Sequence, residues 1–383
     1  MLSSRELLEQ LVAFDTTSRE SNLLLIAFIQ RYLTALGVGC ELIHNGEGSK
    51  ANLYARIGPA GDGGVMLAGH GDVVPVDGQA WSVPPFALTE RDGKLYGRGT
   101  ADMKGFIACI LAAVPHFLAQ PLVQPLHLAI SYDEEVGCLG VRTLLDALAQ
   151  CPEKPHICLI GEPTELQPVL GHKGKLGLRC DVKGSPCHSA YAPQGVNAIE
   201  YAAKLIHYLT RIGERLAAPE HQDARFSPPF TTVQTGVIQG GRALNIVAAE
   251  CSFDFEIRTL PRDDAQRVAE ELRHYAQNEL LPQMRAVNQD TAIHIYPISG
   301  YPGLDTAADS PAARLLAFLT DSLPFATVAF GTEGGLYQQA GIPSVICGPG
   351  SMAQGHRPDE FIRLEQLTAC DAMLRRLARW LCQ

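Results

Sequence analysis

Three acidic residues follow a short apolar run in the stretch "LHLAISYDEEVG", residues 126–137: Asp133, Glu134 and Glu135. The alternating apolar residues before them predict a β-strand, and the glycine after them predicts a turn. Adjacent carboxylates repel one another, so we expect this strand end to meet water or cations that offset the charge. Carboxylates in such a place can bind metals or exchange protons.

Other segments share this design, in which an apolar strand or a glycine-rich turn ends and a metal-binding side chain follows. Two imidazoles and three carboxylates suit Zn²⁺, with Co²⁺ or Mn²⁺ as alternatives. Two ions fit better than one, because three carboxylates and a shared hydroxide together balance the charge of two divalent ions. The candidate ligands are His70 in "LAGHGD", Asp102 in "GTADMKG", Glu135 in "SYDEEVG", Glu162 in "IGEPT" and His356 in "GHRPDE".

Each candidate taken alone also has a structural explanation. His70 could be a hydrogen-bonded structural histidine, and Asp102 could cap a helix that begins near Met103. Glu162 could be a turn residue, and His356 in a glycine-containing loop is equally ambiguous. The metal hypothesis therefore depends on all five occupying comparable positions along the chain.

Two neighbouring acids extend the hypothesis. Asp72 follows His70 by two residues, so in extended chain both side chains project to the same side. Its carboxylate could accept the second ring N–H of a metal-bound histidine, although an aspartate in a turn is the alternative. Glu134 is adjacent to Glu135 and points elsewhere, which leaves it free to act as a general base.

The segments around these residues predict an α/β fold. Apolar strands alternate with helices, which indicates a mostly parallel sheet covered on both faces, with the ligands at the carboxyl ends of its strands. The helix that contains Pro115 is expected to be bent or broken there. Residues 177–296 follow the order βαββαβ, typical of a compact inserted α+β domain. We therefore predict a catalytic domain split between residues 1–176 and 297–383.

Composition excludes several classes of protein. The chain has 383 residues and a formal net charge of −10, which argues against non-specific nucleic-acid binding. The 11 cysteines form no CxxC pair, which is typical of free thiols in a reducing compartment. The N-terminal stretch "MLSSRELLEQLVAF" has no signal-peptide pattern, and no apolar run approaches the ~20 residues of a membrane span. We expect a soluble cytoplasmic protein.

The motifs "GHGDVVP", "GRGTADMKG", "DEEVG", "GEPT" and "GHRPDE" resemble, in order and spacing, those of the aminoacylase/carboxypeptidase family of dinuclear zinc hydrolases. The resemblance covers essentially the whole chain. It implies two divalent metal ions per chain, zinc first and cobalt as the alternative, with Asp102 bridging them. His70 and Glu162 would complete one site, and Glu135 and His356 the other. It also implies a cis peptide after Asp102.

The resemblance implies further roles. Glu134 would be the general base and Asp72 the support of His70. In the inserted domain, which in the family serves as lid and dimer interface, His188 would polarise the scissile carbonyl, and Asn245 and Arg258 would hold the substrate. We expect a homodimer that hydrolyses a small N-acyl amino acid.

Some alternatives stay open at the sequence level. Another acyl-amino-acid hydrolase or a dipeptidase of the same family fits the motifs, and so does an inactive binding protein on the same scaffold. Glu333 in "GTEGGLYQQAG" could meet a cationic substrate side chain, or could be a buried turn acid.

Overall fold

The computed structural model describes residues 2–383 and divides into two compact units. The first comprises the chain up to Gly171 together with residues 304–327 and 332–383, and the second comprises residues 172–303 and 328–331. The second unit is thus inserted into the first. Its limits lie a few residues outside the predicted 177–296, because the strands at both ends of the insertion are longer than their sequence patterns indicated.

The secondary structure alternates between strands and helices through most of the first unit. The helices of the chain are α1 (Ser4–Val12), α2 (Leu23–Ala35), α3 (Lys104–Leu118), α4 (Val141–Gln150), α5 (Ala198–Leu216), α6 (Ala265–Tyr275), α7 (Leu281–Val287), α8 (Pro311–Thr320), α9 (Gly334–Gln339) and α10 (Leu364–Trp380). The strands are β1 (Cys40–His44), β2 (Ala51–Ile57), β3 (Val65–His70), β4 (Thr89–Arg91), β5 (Lys94–Tyr96), β6 (Leu126–Ser131), β7 (Ile157–Pro163), β8 (Val169–His172), β9 (Gly174–Lys183), β10 (Thr232–Gly240), β11 (Glu250–Thr259), β12 (Ala292–Tyr301), β13 (Leu304–Asp305), β14 (Ala326–Val328), β15 (Ser344–Gly348) and β16 (Phe361–Arg363).

The main sheet of the first unit has the strand order β1-β2-β6-β3-β7-β15-β8-β13, and β14 pairs with β8. Its central strands β6, β3, β7 and β15 run parallel and are buried along their length, as their apolar sequences predict. The margins are antiparallel, so the parallel strands form the centre of a mixed sheet. At one margin the reason is the short β1–β2 connection, which can join only antiparallel neighbours.

Helix α3 packs directly on the centre of this sheet. A Cβ atom on Gly161 of β7 would lie 1.8 Å from the Phe106 ring, so only glycine permits the contact. Pro115 lies inside α3, which continues to Leu118, so the predicted break is wrong. Among residues 2–383, no helix is both long enough and apolar enough to cross a membrane.

The first and last helices of the described chain begin in different ways. Ser3 caps α1, because its hydroxyl accepts from the backbone N–H of Glu6 while the Glu6 carboxylate accepts from the Ser3 backbone N–H. The last helix begins at Leu364, directly after β16, which pairs with β5 in a small separate sheet. That pairing joins two distant parts of the chain and leaves little trace in the local pattern.

The inserted unit is a four-stranded antiparallel sheet in the order β10-β11-β9-β12. Helices α5 and α6 cover one face, where apolar side chains such as Leu178 and Phe253 are buried. The alternate residues of the same strands carry charge, and Arg179 pairs there with Asp181 and Asp254. The period-two alternation thus separates a core face from a polar face.

Candidate active site

The five candidate ligands lie together in two groups that share Asp102. In the first, His70 Nε2 is 3.1 Å from Asp102 Oδ1 and 3.7 Å from Glu162 Oε1. In the second, His356 Nε2 is 3.3 Å from Asp102 Oδ2 and 3.0 Å from Glu135 Oε2. Each group has one imidazole and two carboxylates whose ligand atoms lie within 4.8 Å of one another.

Strand ends and turns supply these side chains. His70 is the last residue of β3, Glu162 lies near the end of β7, and Glu135 follows β6. Asp102 precedes α3 at a cis Asp102–Met103 peptide, so it does not cap that helix. His356 has a φ of 62°, in a turn after β15. The parallel centre of the sheet therefore brings distant segments to one edge.

Asp72 contacts both His70 and the acidic segment that carries Glu134 and Glu135. Its carboxylate lies 3.5 Å from His70 Nδ1, but its backbone oxygen is the closer acceptor at 2.9 Å. The carboxylate also accepts hydrogen bonds from the backbone N–H groups of Glu134 at 3.1 Å and Glu135 at 3.3 Å, and from Ser18 Oγ at 2.7 Å. Asp72 thus fixes the acidic segment as well as the histidine.

The electrostatics of the cluster are those of a buried acidic site. Burial opposes the charge of Asp102, but hydrogen bonds from His356 and His70 hold the pKa of its carboxyl well below the usual range. Burial raises the pKa of Glu162 well above its usual value and that of Glu135 to about 7. Divalent cations would offset this concentration of carboxylates.

The donor set fits hard or borderline divalent metals. Glu135 Oε1 is buried without a hydrogen-bond partner among the described residues, and metal ligation would satisfy it. Hydrogen bonds to Asp102 and Glu135 raise the pKa of His356 to about 10. A metal ion held by the same two carboxylates would have to displace that proton from the imidazole in order to bind it.

Glu134 lies beside the two groups and belongs to neither. Burial raises the pKa of its carboxyl well above the usual range, and the charges of Glu135 and Asp102 add to this effect, against an opposing contribution from His70. Its Oε1 accepts a hydrogen bond from Cys138 Sγ at 3.4 Å. A raised pKa makes the carboxylate a stronger proton acceptor, as a general base requires.

Asp133, the first of the three acids, has a different partner. Its Oδ1 lies 2.6 Å from Lys50 Nζ, and the same ammonium donates to the backbone oxygen of Ser18. Asp133 adopts a φ of 55°, which turns the chain out of β6. The side chain therefore anchors the turn, while its two neighbours face the cluster.

Glu360 and Arg98 form a buried ion pair that the sequence patterns did not single out. Glu360 Oε2 lies 2.8 Å from Arg98 Nη1, and both side chains are 1% exposed. Its Oε1 accepts from the backbone N–H groups of Ala101 at 2.9 Å and Asp102 at 3.1 Å. The available signal was an arginine in "GRGTAD" and an acid in "GHRPDE", two glycine-containing motifs that both carry a ligand.

The three predicted residues of the inserted unit lie in two places. His188 and Asn245 are exposed. They lie close together, because the backbone N–H of Ser189 donates to the backbone oxygen of Asn245. Arg258 lies on β11, where it donates to Glu256 and to the Tyr301 hydroxyl. Arg258 thus already has a carboxylate partner within its own unit.

Glu333 is only 2% exposed, and its Oε1 has no hydrogen-bond partner among the described residues. Burial raises the pKa of its carboxyl to about 7. Its backbone oxygen accepts from the N–H groups of Leu336 and Tyr337 at the start of α9. The backbone bonds make Glu333 a turn residue, as one interpretation predicts, and its unpaired Oε1 is what the other interpretation, contact with a cation, would satisfy.

An α/β sheet with paired imidazole and carboxylate groups at its carboxyl edge, interrupted by an α+β insertion, is the architecture of a metallohydrolase. Residues 66–380 match the description "Peptidase family M20/M25/M40", and the chain belongs to this family. The membership confirms the predicted family and fold class, and with them the prediction of a hydrolase that acts on amide bonds.

Two curated relatives carry the same name. Acetylornithine deacetylases of Myxococcus xanthus and Pasteurella multocida are 37% and 36% identical to this chain, over 99% and 97% of its length and 97% and 94% of theirs. The stretches "IGEPTELQPVLGHKG" and "GPGSMAQGHRPDEFI" predict a resemblance to these enzymes in particular, which the matches confirm. The M20 family metallo-carboxypeptidase of Sulfolobus solfataricus has the same fold, with a TM-score of 0.78 at 18% identity, covering 100% of this chain and 99% of its own.

Proposed function

We propose that this chain hydrolyses Nα-acetyl-L-ornithine to L-ornithine and acetate, a step of arginine biosynthesis. The observation that carries the proposal is the pair of ligand groups sharing Asp102, with Glu134 beside them, in a chain similar over its length to acetylornithine deacetylases. A cytoplasmic location fits the reaction and the free cysteines of the described chain.

Two divalent ions, zinc first and cobalt as the alternative, are the proposed cofactors. His70 and Glu162 would hold one ion, Glu135 and His356 would hold the other, and Asp102, whose two oxygens face the two histidines, would be shared between them. When bound, the ions would supply Lewis acidity that polarises the carbonyl and lowers the pKa of water toward ~7.

The chain's own residues would then carry the proton. Glu134 takes a proton from the attacking water while the oxygen of that water bonds to the acetyl carbon. The C–N bond breaks, and Glu134 delivers that proton to the leaving amine nitrogen. Asp72 keeps Glu134 in place through the hydrogen bond from its backbone N–H, and contacts His70 at the same time. The acetic acid formed gives its proton to the released amine, so the products are acetate and ornithine with a protonated α-amino group.

The inserted unit would complete substrate binding. We propose that His188 polarises the acetyl carbonyl, from the same chain or from a partner chain, and that Asn245 and Arg258 hold the amino-acid portion. A guanidinium can bind an α-carboxylate through two parallel hydrogen bonds. Since Glu256 already contacts Arg258, substrate binding would require a rearrangement of that pair.

A homodimer through the inserted unit is part of the proposal. Strand β10 is an edge of that unit's sheet and carries Val237 and Ile238, which are about half exposed. Apolar side chains on an unpaired edge favour pairing with another chain. Light scattering of the purified protein tests this, with a dimer expected and a concentration-independent monomer contradicting it.

A substrate panel tests the reaction itself. Protein loaded with Zn²⁺ or Co²⁺ would be assayed with acetylornithine, acetylcitrulline, acetylmethionine, succinyl-diaminopimelate and a dipeptide. We expect the highest kcat/KM for acetylornithine. If acetylornithine is among the poorest substrates, the specific reaction is wrong and a different acyl-amino-acid hydrolase is indicated. If metal-loaded protein hydrolyses none of them, a binding protein is indicated.

A further inference from the structure

The turn after β6 places a buried thiol against the proposed general base. Cys138 Sγ donates to Glu134 Oε1 at 3.4 Å, and Cys138 is fully buried. The backbone N–H groups of Gly137 and Cys138 both donate to the Glu134 carbonyl oxygen at 2.9 Å. One short turn therefore holds both the backbone and the side chain of Glu134.

The backbone at this position would favour glycine. Cys138 has a φ of 54°, in the left-handed region that residues with a side chain adopt at an energetic cost. Strain of this kind concentrates at functional sites. The thiol thus occupies a place where the backbone conformation alone favours glycine.

The surroundings of Cys138 keep its thiol protonated, so that it can donate a hydrogen bond. Burial raises the pKa of Cys138 well above its usual value, and the nearby charges of Glu134 and Glu333 act in the same direction. The sulfur therefore carries its proton and can point it at the carboxylate. A thiol is a weak donor, so it can orient a carboxylate without suppressing its basicity as an ammonium or guanidinium would.

We propose that Cys138 is a positioning residue for Glu134: its S–H group fixes the carboxylate orientation from which the proton is taken and returned. The inference rests on the proposed function, because it presupposes that Glu134 is the base.

Three substitutions at this position separate positioning from packing. Cys138→Ala removes the donor, Cys138→Gly removes it while suiting the backbone φ, and Cys138→Ser keeps a donor of similar size. We expect kcat to fall about 10- to 100-fold in the Ala and Gly variants, the range seen when residues supporting an active site are removed. KM should change by less than about twofold, because the lost interaction acts in the transition state. Cys138→Ser should stay within about threefold of wild type.

Cys180→Ala is the matched control, since Cys180 is a fully buried thiol in the core of the inserted unit. It removes the same atom without touching Glu134 and should keep the wild-type kcat. If the Ala variant fails to fold, the Gly variant answers the same question. A wild-type kcat in the Ala or Gly variant, or equal losses in the Ser and Ala variants, overturns the proposal.

A spectroscopic readout needs no turnover. In metal-free protein, the Raman difference between wild type and Cys138→Ser isolates the S–H stretching band of Cys138. The same difference in a Glu134→Ala background should give a band shifted toward that of a thiol without an acceptor. An unshifted band contradicts the hydrogen bond. Wild-type protein inactive on every acyl amino acid would instead refute the proposed function, so the two failures are distinguishable.

Discussion

The carboxylate of Glu360 accepts a hydrogen bond from the backbone N–H of Asp102 at 3.1 Å. The same carboxylate pairs with buried Arg98 and accepts a further bond from the Gly99 N–H at 3.0 Å. A buried ion pair therefore fixes the loop that supplies the carboxylate shared by the two ligand groups. Because Glu360 lies in the motif that also carries His356, it connects two segments of the proposed metal site.

Glu360→Gln should weaken both the fold and metal binding. It leaves the Arg98 guanidinium buried without its counter-charge, which costs about 3 kcal/mol in the free energy of unfolding. Displacement of Asp102 should lower metal affinity by about 10- to 100-fold. Urea denaturation and a chelator-competition titration measure the two effects. Glu365→Gln, at an exposed acid nearby, serves as the control and should change neither. Wild-type values for Glu360→Gln would show that the pair does not support the site.

Gly348→Ala should disturb the end of β7 next to Glu162. A Cβ atom on Gly348 would lie 1.9 Å from the backbone oxygen of Gly161, and a backbone atom cannot move aside by itself. We expect a loss of about 2–3 kcal/mol in unfolding free energy, together with weaker metal binding. Gly46→Ala is the control, since a Cβ atom there meets nothing within 4 Å. Equal stability of the two variants would contradict the close approach of β15 and β7.

The stability of the protein should depend on pH through His127. Burial lowers the pKa of His127 to about 4, and its Nε2 donates to the Gly63 backbone oxygen while Nδ1 accepts from the Tyr54 hydroxyl. The folded chain keeps this histidine neutral, whereas the unfolded chain takes up a proton below a pH of about 6.5. The resulting stabilisation is therefore complete above pH ~6.5 and is lost as the pH falls toward 4, by up to about 3 kcal/mol.

Urea denaturation of the metal-free protein between pH 7 and pH 4 checks this dependence. His127→Gln should reduce the slope of unfolding free energy against pH across that range. His207→Gln removes an exposed histidine of α5 and should leave the slope unchanged. Identical slopes for wild type and His127→Gln would refute the assignment.

The residues that could bind metal were more predictable from the sequence than the residues that hold them in place. His70, Glu162 and Glu135 could be identified because each lies at or just after the end of an apolar strand. The carboxyl ends of parallel strands lie at one edge of the sheet. Glu360 and Lys50 could not be identified, because their roles depend on contacts with Asp102 and Asp133 that lie far away in the sequence. Nothing in a local pattern reports such pairings.

The fold likewise has parts that could be predicted from the sequence and parts that could not. The buried central strands and the βαββαβ insertion follow from hydrophobic periodicity and element order. Strands β5 and β16 have only three residues each, which is too short for a periodic signal, so their pairing could not be predicted. The antiparallel margins of the sheet depend on loop length and on distant partners rather than on strand composition.

The most direct test of the central claim compares Glu134→Gln with Asp133→Asn, assaying acetate release from acetylornithine and metal content in the same samples. Glu134→Gln should lose about 10³-fold or more in kcat while retaining two ions per chain, because it removes the base and no ligand. Asp133→Asn loses only the Lys50 pair, so its kcat should stay within several-fold of wild type. Near-normal turnover by Glu134→Gln would contradict the proposed role of Glu134 and the mechanism built on it.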